Sequence, residues 1–174
     1  MKLSTRARYA LRMMVEIAVR PGTDPVSLGL VAENTKISKR YLDQLALALK
    51  TSSLMRSMRG RGGGYQLARP AEEISVGEII EAAIGPINVV ECVQCPELCL
   101  KSDYCECRCV YVRINNEIVN VLNNMSLGEL ADMNKGSSRQ GPGAPLVLQS
   151  KTWKRASSSP RDGKNRQMRV RRVE

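Results

Sequence analysis

Residues 59–65 read Arg-Gly-Arg-Gly-Gly-Gly-Tyr, and no regular helix runs through a segment so rich in glycine. The stretch Leu54 to Arg59 before it and Tyr65 to Ala68 after it are short and strand-like. Strand, glycine turn and strand make a β-hairpin, closed by Pro70. The same glycines admit a phosphate-cradling reading, but the dinucleotide and triphosphate loops need a helix directly after the glycines, and here a strand follows. The nucleotide-cofactor reading is therefore set aside.

What precedes the hairpin decides its meaning. From Thr5 to Val19, Tyr9, Met13 and Ile17 lie on one helical line with Ala10, Met14 and Ala18 beside it. Ser4 or Thr5 is available as the cap, and Pro21-Gly22 ends the helix. Ser27 caps a short helix, LGLVAEN, and Ser38 caps a longer one, KRYLDQLALALK, with an apolar stripe of Tyr41, Leu42, Leu45 and Leu49. Only Thr35-Lys36-Ile37 joins the two, so they read as a helix-turn-helix, and the hairpin after it is a wing. Ser38, Lys39, Arg40, Asp43 and Gln44 then stand near the start of the recognition helix, where side chains meet base edges and phosphates. Arg59, Gly60, Arg61, Gly62, Gly63 and Gly64 form the wing tip, whose bare backbone and two guanidinium groups approach the DNA backbone or minor groove.

Ser75-Val-Gly-Glu78 is a capping-box pattern opening a further helix through Ile84, which Gly85-Pro86 stops. Later, Val110, Ile114, Ile118, Val121 and Leu122 recur at offsets 0, 4, 8, 11 and 12, one long amphipathic helix. The preceding domain is small, so a second copy of the chain is the natural cover and a homodimer is expected. Ser126-Leu-Gly-Glu129 repeats the capping-box pattern for a short terminal helix. From Lys135 the chain turns to Ser, Gly, Pro and Arg without period, and disorder is expected there.

Composition narrows the function. With no Phe, one Trp and five Tyr, the core must be built from Leu, Ile, Val, Met and Ala, which favours packed helices. The absence of His removes His-based triads, His metal ligands and the usual acid-base group near neutral pH. No nucleophile-base pair stands out either, so an enzyme is not expected. The net charge of +10 is uneven. Residues 1–70 carry 13 Lys and Arg against 4 Asp and Glu, residues 71–134 carry 3 against 11, and residues 135–174 carry 11 against 2. A basic front half points to a polyanion, with double-stranded DNA first. No apolar run reaches the roughly 20 residues of a membrane span, and a cytoplasmic protein with no membrane partner is expected.

All six Cys fall in residues 92–109, spaced Cys92-x2-Cys95-x3-Cys99-x5-Cys105-x-Cys107-x-Cys109. In a reducing compartment they read as metal ligands or redox thiols rather than a disulfide framework. Spacing leaves zinc held by four Cys, an iron-sulfur cluster and metal-free thiols open. A helix starting near Cys105 places Cys105 and Cys109 on one face and Cys107 on another, so all six do not serve one centre.

In order, MKLSTRARYAL, PVSL, ISKRYLDQL, SMRGRGGGYQLAR, SVGEII, the three spaced Cys and LNNMSLGEL resemble the iron-sulfur cluster assembly regulator (IscR) group of the Rrf-type winged-helix regulators, over residues 1 to about 133. The resemblance implies a mainly α fold with a small β-hairpin, a winged helix-turn-helix plus a long C-terminal dimerisation helix, in a dimeric bacterial transcription regulator. The chain accordingly divides into four regions, 1–86 DNA-binding, 87–109 cysteine loop, 110–134 dimerisation and terminal helices, and 135–174 a basic tail that lies outside the resemblance. It carries the ligand positions to Cys92, Cys99 and Cys105, for a [2Fe-2S] cluster ahead of [4Fe-4S], with zinc behind both. Arg108 stands where the assembly regulators have a ligand His, and Arg8 where nitric-oxide-sensing relatives have an Asp. A guanidinium does not ligate iron. The fourth ligand is then Cys95, Cys107, Cys109, a carboxylate, solvent or a partner-subunit group. Gly is also expected in the turns where Lys36 and Ser53 occur. The expected function is a repressor sensing cluster or redox status. The alternatives are a metal-free thiol-based or partner-dependent regulator, and a small electron-transfer protein.

Overall fold

The computed structural model describes residues 3–20 and 24–137. Among the described residues seven helices and one hairpin follow in order: α1 (Thr5–Ala18), α2 (Leu28–Thr35), α3 (Lys39–Thr51), β1 (Met55–Met58), β2 (Gly64–Leu67), α4 (Val76–Ile84), α5 (Glu91–Gln94), α6 (Glu106–Asn123) and α7 (Leu127–Ser137). Short 3-10 turns occupy Ala71–Glu73, Pro96–Leu98 and Ser102–Tyr104.

The apolar periodicity of α1 becomes its buried face of Ala7, Ala10, Met13, Met14 and Ile17. Its cap is Ser4, whose hydroxyl accepts from the Ala7 N–H at 3.1 Å. α3 turns Leu42, Leu45, Ala46 and Leu49 inward against α1 and α2, and Leu54, Met55, Ile74 and Ile79 close the same core. Burying one such side chain stabilises the fold by about 1.5–3 kcal/mol. Tyr9 of α1 and Tyr41 of α3 meet edge to face, with ring centroids 5.7 Å apart, which sets the rotation of α3 about its axis. Pro21 and Gly22 lie outside the described residues. α1 already ends at Ala18, with Val19 as its cap.

The hairpin is antiparallel with Met55 opposite Leu67 and Met58 opposite Gly64. Both expected glycine-like turns are real: Lys36 has φ 58° and Ser53 φ 56°, the left-handed region, which costs an L-residue about 1–2 kcal/mol. The Ser75 capping box forms in full, and Arg69 adds a 2.7 Å ion pair to Glu78. Ser38 departs from expectation. It occupies the N-cap position of α3, but its hydroxyl makes no capping hydrogen bond.

Two boundaries also move. α6 begins at Glu106 with Cys105 as its N-cap, so Cys107 and Cys109 sit on helix rather than in the loop. α7 starts at the second capping box, where the Glu129 N–H donates to the Ser126 hydroxyl and the Ser126 N–H to the Glu129 carboxylate. It runs to Ser137, three residues past its expected end, and the tail beyond lies outside the described residues. α7 returns to the DNA-binding domain, where Leu127 is fully buried in the main core. Two backbone hydrogen bonds fasten the joint, Val76 N–H to the Met125 carbonyl at 2.9 Å and Leu127 N–H to the Ile74 carbonyl at 2.8 Å.

Candidate nucleic-acid interface and cysteine loop

The inward stripe of α3 leaves its other face to solvent, and Ser38, Lys39, Arg40, Asp43 and Gln44 are all exposed. Ile37, 5% exposed, pins the turn into α3 from below. Lys36, in that same turn, adds an exposed cation directly ahead of the recognition helix. The sequence marks Lys36 only as a turn residue; its place two residues before Ser38 is the signal for this position.

At the wing tip Arg59, Gly60, Arg61 and Gly62 are exposed, and Gly63 and Gly64 are half-buried. The glycines divide into two kinds. Gly60 and Gly62 have φ 109° and 84° with open space around them, so they shape the turn. Gly63 and Gly64 are needed for close backbone approach within the protein: a Cβ on Gly63 would strike the Met58 carbonyl, and one on Gly64 would lie 2.5 Å from the Val26 carbonyl oxygen. Room for DNA therefore does not explain Gly63 and Gly64. The reason for the second contact is a bridge at the wing base, Val26 N–H to the Tyr65 carbonyl at 2.8 Å and Tyr65 N–H to the Val26 carbonyl at 2.9 Å. Val26 immediately precedes Ser27, the cap of α2, so the wing is bonded to the start of the helix-turn-helix.

Behind this domain the chain passes through α5 and two 3-10 turns to the start of α6. Cys92, Cys95, Cys99 and Cys105 are half-buried, Cys107 and Cys109 exposed, and all six are free thiols. Burial raises the Cys95 thiol above its ordinary value of 9.0, and the Glu97 and Glu91 carboxylates push it the same way. Two hydrogen bonds clasp the loop to α6. Arg108 donates through Nε to the Cys92 carbonyl at 2.9 Å, and the Val89 N–H donates to Asn115 Oδ1 at 3.0 Å. A shallow cavity of about 320 Å³ beside them is lined by Cys105, Arg108 and Cys109 with Ser102, Asp103, Tyr104 and Glu106. Among the described residues, no three Cys, Asp or Glu are grouped so as to hold a metal ion. Cys92, Cys99 and Cys105 are near one another in sequence and, as folded, do not form such a group.

The apolar stripe of α6 is present and covered only in part: Leu122 packs against Ala7, Val76 and Ile80, and Ile118 is half-buried. The helix buries none of its own residues within the chain, and Val110, Ile114 and Val121 are 56%, 43% and 38% exposed.

A winged helix-turn-helix with this cysteine loop behind it is matched over residues 3–133 by the Rrf2 family model, described as iron-dependent transcriptional regulator. The chain belongs to the Rrf2 family. Among Rrf2 relatives, the transcriptional regulator CymR of Bacillus subtilis strain 168 is 35% identical over 78% of this chain and 94% of its own length. The transcriptional regulator IscR of Klebsiella pneumoniae strain 342 is 36% identical over 76% of this chain and 80% of its own. The solved structure of B. subtilis CymR, described as the global cysteine regulator, superposes with a TM-score of 0.66 over 76% of this chain and 97% of that one. That of T. potens IscR, 29% identical, gives 0.64 over 81% and 92%. The mainly helical winged fold and the resemblance read from the sequence are therefore those of the Rrf2 regulators. Like these relatives, the protein is a transcriptional regulator and not an enzyme. No helix among the described residues is long and apolar enough to cross a membrane.

Proposed function

We propose that this Rrf2 protein is a cytoplasmic, homodimeric repressor of bacterial promoters whose hold on its operator is set by the cysteine-bearing segment 87–109, the loop and the first turn of α6. The observation that carries the DNA-binding part is the solvent-facing polar stretch of α3, together with a wing tipped by Arg59 and Arg61 that the Val26–Tyr65 bridge bonds to the start of α2. Ser38, Lys39, Arg40, Asp43 and Gln44 read base edges and phosphates in the major groove, and the wing residues 59–64 follow the adjacent backbone. The dimer is supported by the exposed part of the α6 stripe, which a second α6 covers with Val110, Ile114 and Val121. Two recognition helices held across such a dimer read two half-sites.

Thiol chemistry is the sensor reading the geometry favours. Among the described residues no three ligating groups converge, and Arg108 spends its guanidinium on the Cys92 carbonyl. Relatives described as a global cysteine regulator and as the oxidised form of Staphylococcus aureus CymR support it. The cluster reading, with Cys92, Cys99, Cys105 and a fourth ligand from Cys95, Cys107 or Cys109, is supported by the iron-dependent family description and the IscR relatives. Footprinting on DNA upstream of the protein's own gene tests the regulator, and a flat footprint at low salt refutes it. Iron and acid-labile sulfide assays on protein purified without oxygen separate the sensors: stoichiometric iron and sulfide select the cluster, whereas their absence with oxidant-dependent footprinting selects the thiols.

A further inference from the structure

The run Cys92-Val-Gln-Cys95-Pro96 places two thiols one helical turn apart and then ends the helix. α5 is that single turn, closed by the Cys95 N–H on the Glu91 carbonyl at 2.9 Å. It stops because the residue before a proline is pushed out of the helical region, and Cys95 accordingly has φ −122° and ψ 80°. Helical residues three apart carry Cβ atoms about 5–6 Å from each other. A disulfide asks for about 3.5–4.5 Å. The approach needed is of order 1 Å, and it falls on a residue already released from helical geometry. Both are free thiols and half-buried, and that of Cys95 is hydrogen-bonded to Glu97. Cys107 and Cys109, by contrast, sit two apart on the regular helix α6 and point to different sides of it.

We propose that Cys92 and Cys95 form a reversible disulfide, and that this pairing is the event by which the loop answers peroxide. The proposal rests on the reading of residues 87–109 as the sensor. One thiolate attacks an oxygen of hydrogen peroxide, breaking the O–O bond to give a sulfenic acid and, with one proton, water. The second sulfur attacks the sulfenic sulfur, the S–S bond forms, and the hydroxyl leaves with the second thiol's proton as another water. Two thiols and one peroxide become one disulfide and two waters, with two electrons passing from sulfur to peroxide. Because Arg108 holds the Cys92 carbonyl, closing the ring pulls on the first turn of α6. A disulfide sulfur also carries no thiolate charge, so pairing and metal ligation at Cys92 exclude each other.

Cleavage after Glu91 and Glu97 releases residues 92–97, which hold these two cysteines and no other. The full-length reduced protein is treated with one equivalent of peroxide, its remaining thiols are alkylated, and this peptide is weighed. The expected peptide is two hydrogens lighter than the reduced form and unalkylated, dithiothreitol restores it, and operator binding changes in step. A peptide alkylated at both positions, or Cys92 joined to Cys99 or Cys105, overturns the pairing. If operator affinity still responds to peroxide in that case, the sensor reading survives without it. If the pairing forms and operator affinity stays within twofold, the pairing stands and the sensor reading falls.

Discussion

Replacing Gly64 by Ala is expected to detach the wing from the helix-turn-helix. The new Cβ would lie 2.5 Å from the Val26 carbonyl oxygen, 2.6 Å from its carbon and 3.0 Å from the Ser27 nitrogen. All three are backbone atoms at the start of α2, so no side chain can swing away to relieve the overlap. The two strands of chain must separate, and the two Val26–Tyr65 hydrogen bonds go with them. Each is worth about 1 kcal/mol net. Val26, only 5% exposed, loses part of its cover as well, adding about 1 kcal/mol. A destabilisation of about 2–4 kcal/mol follows, a large share of the stability of an ordinary domain. Urea unfolding followed by circular dichroism should show the midpoint lowered by roughly 1–2 M. Gly62→Ala is the matched control. Gly62 has φ 84° and nothing within 4 Å of its added Cβ, so only backbone strain of about 1 kcal/mol is expected. Equal costs for the two variants would refute the close-packing account of Gly64.

Arg61→Ala should weaken operator binding at every sequence alike and lower the slope of log affinity against log salt by about 0.9, the signature of one lost phosphate contact; an unchanged slope in filter binding would remove Arg61 from the interface. Ile114→Glu, at the centre of the exposed α6 stripe, should convert the dimer to monomer in sedimentation velocity while leaving the circular dichroism of the DNA-binding domain intact. Glu78→Gln tests a pH dependence. Burial alone would raise this carboxyl, but the Ser75 backbone N–H, the Arg69 guanidinium and the Ser75 hydroxyl together hold it below its ordinary 4.5. A lowered folded value means the stabilisation is full above about 4.5 and is lost as pH falls through the folded value. The wild-type advantage over the variant, under about 1 kcal/mol for a pair this exposed, should therefore vanish in acid urea titrations and persist at neutral pH.

Local signals made much of this architecture legible. Ser4, Ser27, Ser75 and Ser126 each precede a helical period, and each caps its helix by accepting a backbone N–H at 3.1 to 3.3 Å. Chemistry within four residues settles such features. The cysteine loop resisted because its shape is set by partners far along the chain: Asn115 receives Val89 from 26 residues away, and Arg108 reaches Cys92 across 16. Neither pair carries a periodicity. Gly64 is legible as a turn glycine, but its close contact with Val26 is not, since Val26 lies 38 residues before it in the chain. Ser38 shows the converse failure. A serine in the right place predicts a cap, yet its hydroxyl makes no capping bond and stays at the exposed start of α3.

The connections of α6 bound how strongly the loop can act on DNA. At its front the helix holds the loop by Arg108 on the Cys92 carbonyl and Asn115 on the Val89 N–H. At its rear, the Asn123 side chain packs against Gly77 of α4, and residues 74–76 bond back to residues 125–127 beside it. α4 in turn lies against α1 and α3. The rear joint is closely packed and shares the buried core through Leu127, so a disturbance of the loop passes into the domain rather than being absorbed there. The front is the weaker link. Two partly exposed hydrogen bonds supply about 2–3 kcal/mol together, and a coupling cannot exceed the free energy that differs between its two states. At about 1.4 kcal/mol per tenfold, that limits the part of the change in operator affinity that passes through this clasp to roughly a hundredfold. Asn115→Ala, by removing one of the two bonds, should cut the ratio of affinities before and after oxidation several-fold while leaving the reduced protein's fold intact. A ratio that Asn115→Ala leaves untouched would place the transmission outside this clasp.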